Sequence, residues 1–207
     1  MDQAPILNPT QIRAVLRVCE ETRYPERNRA IVLLAFRAGL TAIEIAHLKR
    51  YHVLTDGGLL GTHIDLLNKP GKKLEPRLIP IRRGGDLWKA LLTVLSRGID
   101  GQIVPRIEHP LLLSERALAQ GRVDHLRPMS ISFLFRKLFD RARVEASSHD
   151  LRSTFLVNAS REVKHAGGTI RDVQHLAGIR SLGNLQRYVE TTEEVRDKIP
   201  DLLEPLE

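Results

Sequence analysis

A single cysteine in 207 residues excludes an intramolecular disulfide and any cysteine-based zinc site. That residue, Cys19, ends the run Ile12-Arg13-Ala14-Val15-Leu16-Arg17-Val18, a helical pattern in which a small thiol is expected to be buried. Aromatic residues make up 4% of the chain, so the core has to be built from Leu, Ile, Val and Ala, which favours helices. No apolar run approaches the roughly 20 residues of a membrane span. The start, Met1-Asp2-Gln3-Ala4-Pro5, has neither the basic nor the apolar region of a signal peptide. These absences predict a cytoplasmic protein without a membrane partner. There is no Gly-x-x-x-x-Gly-Lys loop for a nucleotide, and His47, His52, His63, His109, His125, His165 and His175 form no metal-ligand spacing. Neither a cofactor nor a metal is expected, and no repeat or low-complexity segment is visible.

What is present reads as an ordinary globular chain, 42% hydrophobic and 28% charged, long enough for one good-sized domain. Its formal charge is +7 and its pI about 9.9. Such a balance suits a polyanion, because neutralising phosphates releases condensed counterions. A basic protein without a nucleic-acid partner has the same balance, so charge suggests a partner class and names no reaction.

Thr10 is placed as the N-cap of a first helix over residues 11–21. Pro25 suits the first turn of a second helix, which runs through Ile31-Val32-Leu33-Leu34 and stops at Gly39. A third begins near Thr41 or Ala42. Short runs around His52-Val53-Leu54, Thr62-His63-Ile64-Asp65-Leu66 and Arg77-Leu78-Ile79-Pro80-Ile81 predict an antiparallel sheet of about three strands. Pro80 places the last at an edge or at its end. Further helices are expected near 86–96, 130–143, 150–165, 169–177 and 182–189, and from about 193 towards 203, with a long irregular connection over 98–128. The fold class is mainly α with a small antiparallel β-sheet (α+β).

Three segments carry the chemistry. In Ser148-His149-Asp150-Leu151-Arg152-Ser153-Thr154-Phe155, His149 and Arg152 lie three apart at a helix start and share a face. Arginine offers a planar fork for two phosphate oxygens, and histidine moves a proton near neutral pH. Tyr188 ends a short amphipathic stretch 36 residues after Arg152. A tyrosine can attack a phosphodiester and hold the strand end covalently, splitting one hard step into two. The third segment, Gly39-Leu40-Thr41-Ala42-Ile43-Glu44-Ile45-Ala46-His47-Leu48, precedes the basic turn Asn68-Lys69-Pro70-Gly71-Lys72-Lys73.

Order and spacing together resemble the catalytic domain of the tyrosine recombinase and phage integrase family, from about Leu7 to the C-terminal helix. His149-Asp150-Leu151-Arg152-Ser153-Thr154-Phe155 resembles its His-x-x-Arg box, and Leu176-Ala177-Gly178 keeps its spacing to the nucleophile. The resemblance implies Tyr188 as nucleophile, Arg152 and His149 on the scissile phosphate, and Lys69 as general acid, with Lys72 as second candidate for that lysine. Glu44 falls where the family carries an acidic residue three positions after its first arginine. The resemblance further implies double-stranded DNA as partner, self-association on DNA, a possible accessory DNA-binding protein, and no cofactor. A single domain over 1–207 is expected, with 191–207 as a tail or docking helix and no N-terminal core-binding domain.

Two positions depart from the pattern. Thr41 stands where the family has its first catalytic arginine, and Ile179 where it has the histidine of a Leu-Gly-His turn. Thr supplies no fixed charge and Ile no hydrogen bond. Losing one preorganised donor costs roughly 10² to 10³ in rate, and losing a charge-stabilising arginine roughly 10³ to 10⁵ by analogy with phosphoryl transfer. Arg37, four residues before Thr41, and Arg180, next to Ile179, are candidate substitutes.

The expected function is a site-specific recombinase of weakened activity that cleaves and rejoins DNA through a 3′-phosphotyrosine. The alternative is a catalytically impaired regulator or accessory subunit that keeps the fold and binds DNA. The segment from Leu40 to Leu48 also resembles the first helix of a helix-turn-helix protein, which requires a recognition helix after it.

Overall fold

The computed structural model describes residues 6–68, 74–96 and 106–181. Within them the order is α1 (Pro9–Glu20), α2 (Pro25–Ala38), α3 (Ala42–His47), a 3₁₀ turn (Arg50–His52), β1 (His63–Asp65), β2 (Leu78–Pro80), α4 (Asp86–Ser96), α5 (Glu115–Ala119), α6 (Pro128–Ala142), α7 (Asp150–Glu162) and α8 (Ile170–Ala177). The mainly helical class with a small antiparallel sheet is as the sequence predicts.

Helix α2 occupies the centre. Its run Ala30-Ile31-Val32-Leu33-Leu34-Ala35 is apolar on every side, and each of these residues is buried. Accordingly α2 packs against α1, α3, α4, α6 and α7. Even the polar start of α2 is inside: Arg27 is buried, donating to Asn28 and the Leu113 carbonyl and pairing with Glu115 of α5 at 2.8 Å. Burial lowers the Arg27 pKa, and the Glu115 carboxylate opposes that shift. A second, smaller apolar cluster of Phe155, Leu156, Val173 and Ala177 joins α7 to α8.

Several local expectations are corrected. The cap of α1 is Asn8, not Thr10: Asn8 Oδ1 accepts from Gln11 N at 2.9 Å and Gln11 Oε1 accepts from Asn8 N at 2.9 Å. Pro9 then takes the first helical position, where its missing N–H costs nothing. The described residues hold two strands, not three. His52 lies in a 3₁₀ turn closed by Lys49 N donating to His52 Nδ1 at 2.9 Å. The Arg50 and Tyr51 amides go to the His109 and Ile107 carbonyls, so this backbone is satisfied by a loop instead of a strand. The same turn stands where a recognition helix would have to be, which removes the helix-turn-helix reading. The connection expected to be irregular over 98–128 contains α5, capped by Ser114 Oγ on Ala117 N at 3.0 Å.

The sheet that remains pairs His63 with Pro80, Ile64 with Ile79 and Asp65 with Leu78. Ile64 and Ile79 face the core, and Pro80 ends β2. Predicted helices over 182–189 and from 193 lie outside the described residues.

Candidate active site

Helix α7 opens with eight consecutive buried residues, Asp150 through Val157, four of them polar. Each polar group there has a partner, as burial demands. Asp150 Oδ2 accepts from Ser147 N at 2.6 Å, Ser153 Oγ donates to the His149 carbonyl at 3.2 Å, and Thr154 Oγ1 accepts from Leu7 N at 3.0 Å. Arg152 Nη1 donates to the Gly39 carbonyl, and Nη2 to the Ala177 carbonyl at 2.7 Å. The guanidinium is thereby clamped between the ends of α2 and α8.

Both clamping carbonyls depend on glycine. Gly39 ends α2 in the left-handed conformation, and a Cβ there would collide with the Phe155 ring at Cδ1. Gly178 ends α8 with φ of +64°, and its Cβ would lie 2.6 Å from Arg77 Nη1. Each glycine lets an aromatic ring or a guanidinium close against backbone.

Glu44 is the hub between the two ends. Its side chain is 7% exposed; Oε1 accepts from Arg77 Nη1 at 2.6 Å, and Oε2 lies 3.7 Å from Arg152 Nη1. Oε2 also accepts from Thr41 N at 2.9 Å and Thr41 Oγ1 at 3.0 Å, while Thr41 Oγ1 accepts from Glu44 N at 3.2 Å. This reciprocal pair is a capping box, so Thr41 serves the start of α3. Arg77 continues the network, donating through Nε to the Leu176 carbonyl at 3.0 Å and through Nη1 to the Glu75 carbonyl at 3.1 Å.

The structure therefore brings together Arg152, Glu44 and Thr41, and adds Arg77, which sequence reasoning had read only as the start of a strand. A signal for it existed: a carboxylate within the apolar run Ala42-Ile43-Glu44-Ile45-Ala46 needs a buried cation. His149 sits exposed at the N-cap of α7, with its amide donating to Ser147 Oγ at 3.3 Å. Ile179 packs on the apolar cluster of α7 and α8. Arg37 pairs with Asp86 of α4 at 2.8 Å and stacks over Phe36. Arg180 is exposed and pairs with Glu75 at 2.7 Å. Lys69, Lys72 and Tyr188 lie outside the described residues. Among the described residues no group of three His, Cys, Asp or Glu side chains could hold a metal, and no helix is long and apolar enough to cross a membrane.

Comparison with known proteins bears on this geometry. The chain is 30% identical over 189 residues to a tyrosine recombinase XerA of Thermococcus kodakarensis, covering 91% of this chain and 58% of that protein. It is 28% identical to the XerA of Thermococcus onnurineus, with the same coverage. The chain thus spans 58% of the length of these curated relatives. Its fold is similar to a crystal structure of XerA recombinase, at TM-score 0.66 and 21% identity, covering 99% of this chain and 67% of that one. It is also similar to the XerH site-specific recombinase bound to its difH substrate before cleavage, at TM-score 0.70 and 16% identity, covering 98% and 55%. Residues 5–194 match the phage integrase family, and with that match over most of its length the chain belongs to this family.

Proposed function

We propose that the chain binds double-stranded DNA and cleaves and rejoins it at a specific site through Tyr188. The observation that carries this reading is Arg152, buried in α7 and fixed by backbone carbonyls of α2 and α8. A guanidinium held this way is preorganised for a phosphate. The Tyr188 hydroxyl attacks the scissile phosphorus, its proton passing to His149, and forms a 3′-phosphotyrosine. The 5′ oxygen leaves and takes a proton from Lys69, with Lys72 as the other candidate, and His149 serves the same phosphate. The bond energy is kept in the phosphotyrosine, so rejoining needs no nucleotide. Exchange between two sites requires self-association on DNA, with an accessory DNA-binding protein as a further partner. Relatives captured on DNA, such as XerH with difH and the Tn1549 integrase with circular intermediate DNA, support DNA as the ligand.

A second reading, a DNA-binding regulator of the same fold, is favoured by two specific observations. Thr41 is used as a helix cap and Ile179 as an apolar packing residue. The two readings separate on one experiment. Duplexes that the protein binds are selected from a random-sequence pool, mapped, and rebuilt with a nick beside each candidate cleavage position. Recombinase chemistry gives a covalent protein–DNA adduct that Tyr188→Phe abolishes while affinity stays within about threefold. Tight binding without an adduct on any nicked duplex leaves the regulator.

A further inference from the structure

The charge at the Glu44 hub has a sign that position 41 alone would not give it. One carboxylate faces two guanidiniums, Arg77 at 2.6 Å and Arg152 at 3.7 Å, with the three side chains 5–11% exposed. Two guanidinium cations against one carboxylate leave the cluster with a net positive charge. If Arg77 were neutral, Glu44 would cancel Arg152 and the cluster would present no charge to a phosphate. Arg77 has a second feature that a simple ion pair does not require. Its Nη2 is buried and has no hydrogen-bond partner, a costly state for a charged donor. Around it, Gly178 leaves room for Nη1, the Leu176 carbonyl takes Nε, and the Glu75 carboxylate pairs with Arg180.

We propose that Arg77 is a charge-supplying positioning residue of the phosphate site, replacing from the entrance of β2 the positive charge that Thr41 lacks. It does so by taking up Glu44, which leaves the charge of Arg152 unspent for the scissile phosphodiester. Arg37 and Arg180 do not fill this role, since each is paired with its own surface carboxylate, Asp86 and Glu75. The proposal rests on the reading of Arg152 as the phosphate-binding arginine.

The test compares the parent chain, Arg77→Gln and the double variant Glu44→Gln with Arg77→Gln. The probes are the selected nicked duplex and the same duplex with one neutral methylphosphonate at the cleavage position. On the phosphodiester, Arg77→Gln should slow formation of the Tyr188 adduct roughly 10³-fold or more. On the methylphosphonate the loss should be at least 10-fold smaller, because the linkage itself is neutral and only the charge that develops in the transition state remains. The double variant restores the net charge and removes the unpaired buried carboxylate, so it should recover at least 10-fold of the lost rate. Equal losses on both linkages, or a double variant no better than Arg77→Gln, would overturn the proposal in favour of a purely structural ion pair.

If the parent forms no adduct, strand cleavage fails as the function while binding still decides the role of Arg77. Methylphosphonates are then scanned through the duplex. At one position neutralisation should weaken the parent about 10-fold, leave Arg77→Gln unchanged and again weaken the double variant. No position with that difference overturns the proposal.

Discussion

At the scale of single residues, the site depends on what is missing as much as on what is charged. Gly178 is the clearest case, because its left-handed φ and the nearby Arg77 guanidinium act on the same position. Gly178→Ala is expected to destabilise the protein by roughly 1–3 kcal/mol, read by urea unfolding. Gly121, also at positive φ, has nothing within 4 Å of a built Cβ and serves as control. Gly121→Ala should cost only the backbone term, and a Gly178→Ala loss no larger would mean that Arg77 moves aside freely. Cys19 illustrates the converse, a group with nothing to do at the site: burial pushes its thiol pKa up to about 12. The stop of α2 at Gly39 was legible in the sequence because local pattern fixes it, whereas Glu44 was singled out only through the family resemblance. Arg77 was not, since its partners lie 33 and 99 residues away and only folding brings them together.

Short elements show how local chemistry sets the stage for the site. Helix α3 begins where Thr41 and Glu44 cap each other, so Thr41, which carries no charge, has work in the fold. Helix α8 delivers two carbonyls, from Leu176 to Arg77 and from Ala177 to Arg152. Its start is held by Asp172 Oδ2, which accepts from Thr169 N at 2.7 Å and Thr169 Oγ1 at 2.9 Å. These bonds, led by the Thr169 amide, hold the Asp172 carboxyl below its usual value. A depressed carboxylate contributes stability above its unfolded pKa, near 3.9, and loses it as pH falls through the folded value. Asp172→Asn should therefore lower the thermal midpoint at pH 6, and the difference from the parent should shrink as pH drops below about 4. A constant difference across that range would exclude the carboxylate as its source. The described residues hold two strands and not the expected three for a related reason. The run at His52-Val53-Leu54 has strand-like composition, but a side-chain bond from His52 and two carbonyls of a distant loop satisfy its backbone first.

Across the whole molecule, the family's motif doubles as a structural tie. Thr154 follows Arg152 by two residues and accepts the Leu7 amide, fastening the start of the described chain to α7 across 147 residues. Thr154→Val keeps the shape and leaves that buried amide without an acceptor, at an expected cost of about 1–3 kcal/mol. Urea unfolding measures the loss, and amide exchange at Leu7 should accelerate; unchanged protection there would show that α1 is held by its apolar face alone. The class of the fold was legible from composition and helical periodicity, but this tie was not, because nothing in a Thr pattern points to a partner so remote.

The same tie orders events while the chain is being made. Helix α1 leaves the ribosome before its partners: α6, against which it packs, and Thr154, which holds Leu7, follow roughly 120 to 150 residues later. At about 5–20 residues per second, part of the apolar side of α1 stays uncovered for roughly 6 to 30 seconds. For that interval the apolar side of α1 is open to non-native contacts, and the clamp around Arg152 cannot form until the segment carrying α8 has emerged.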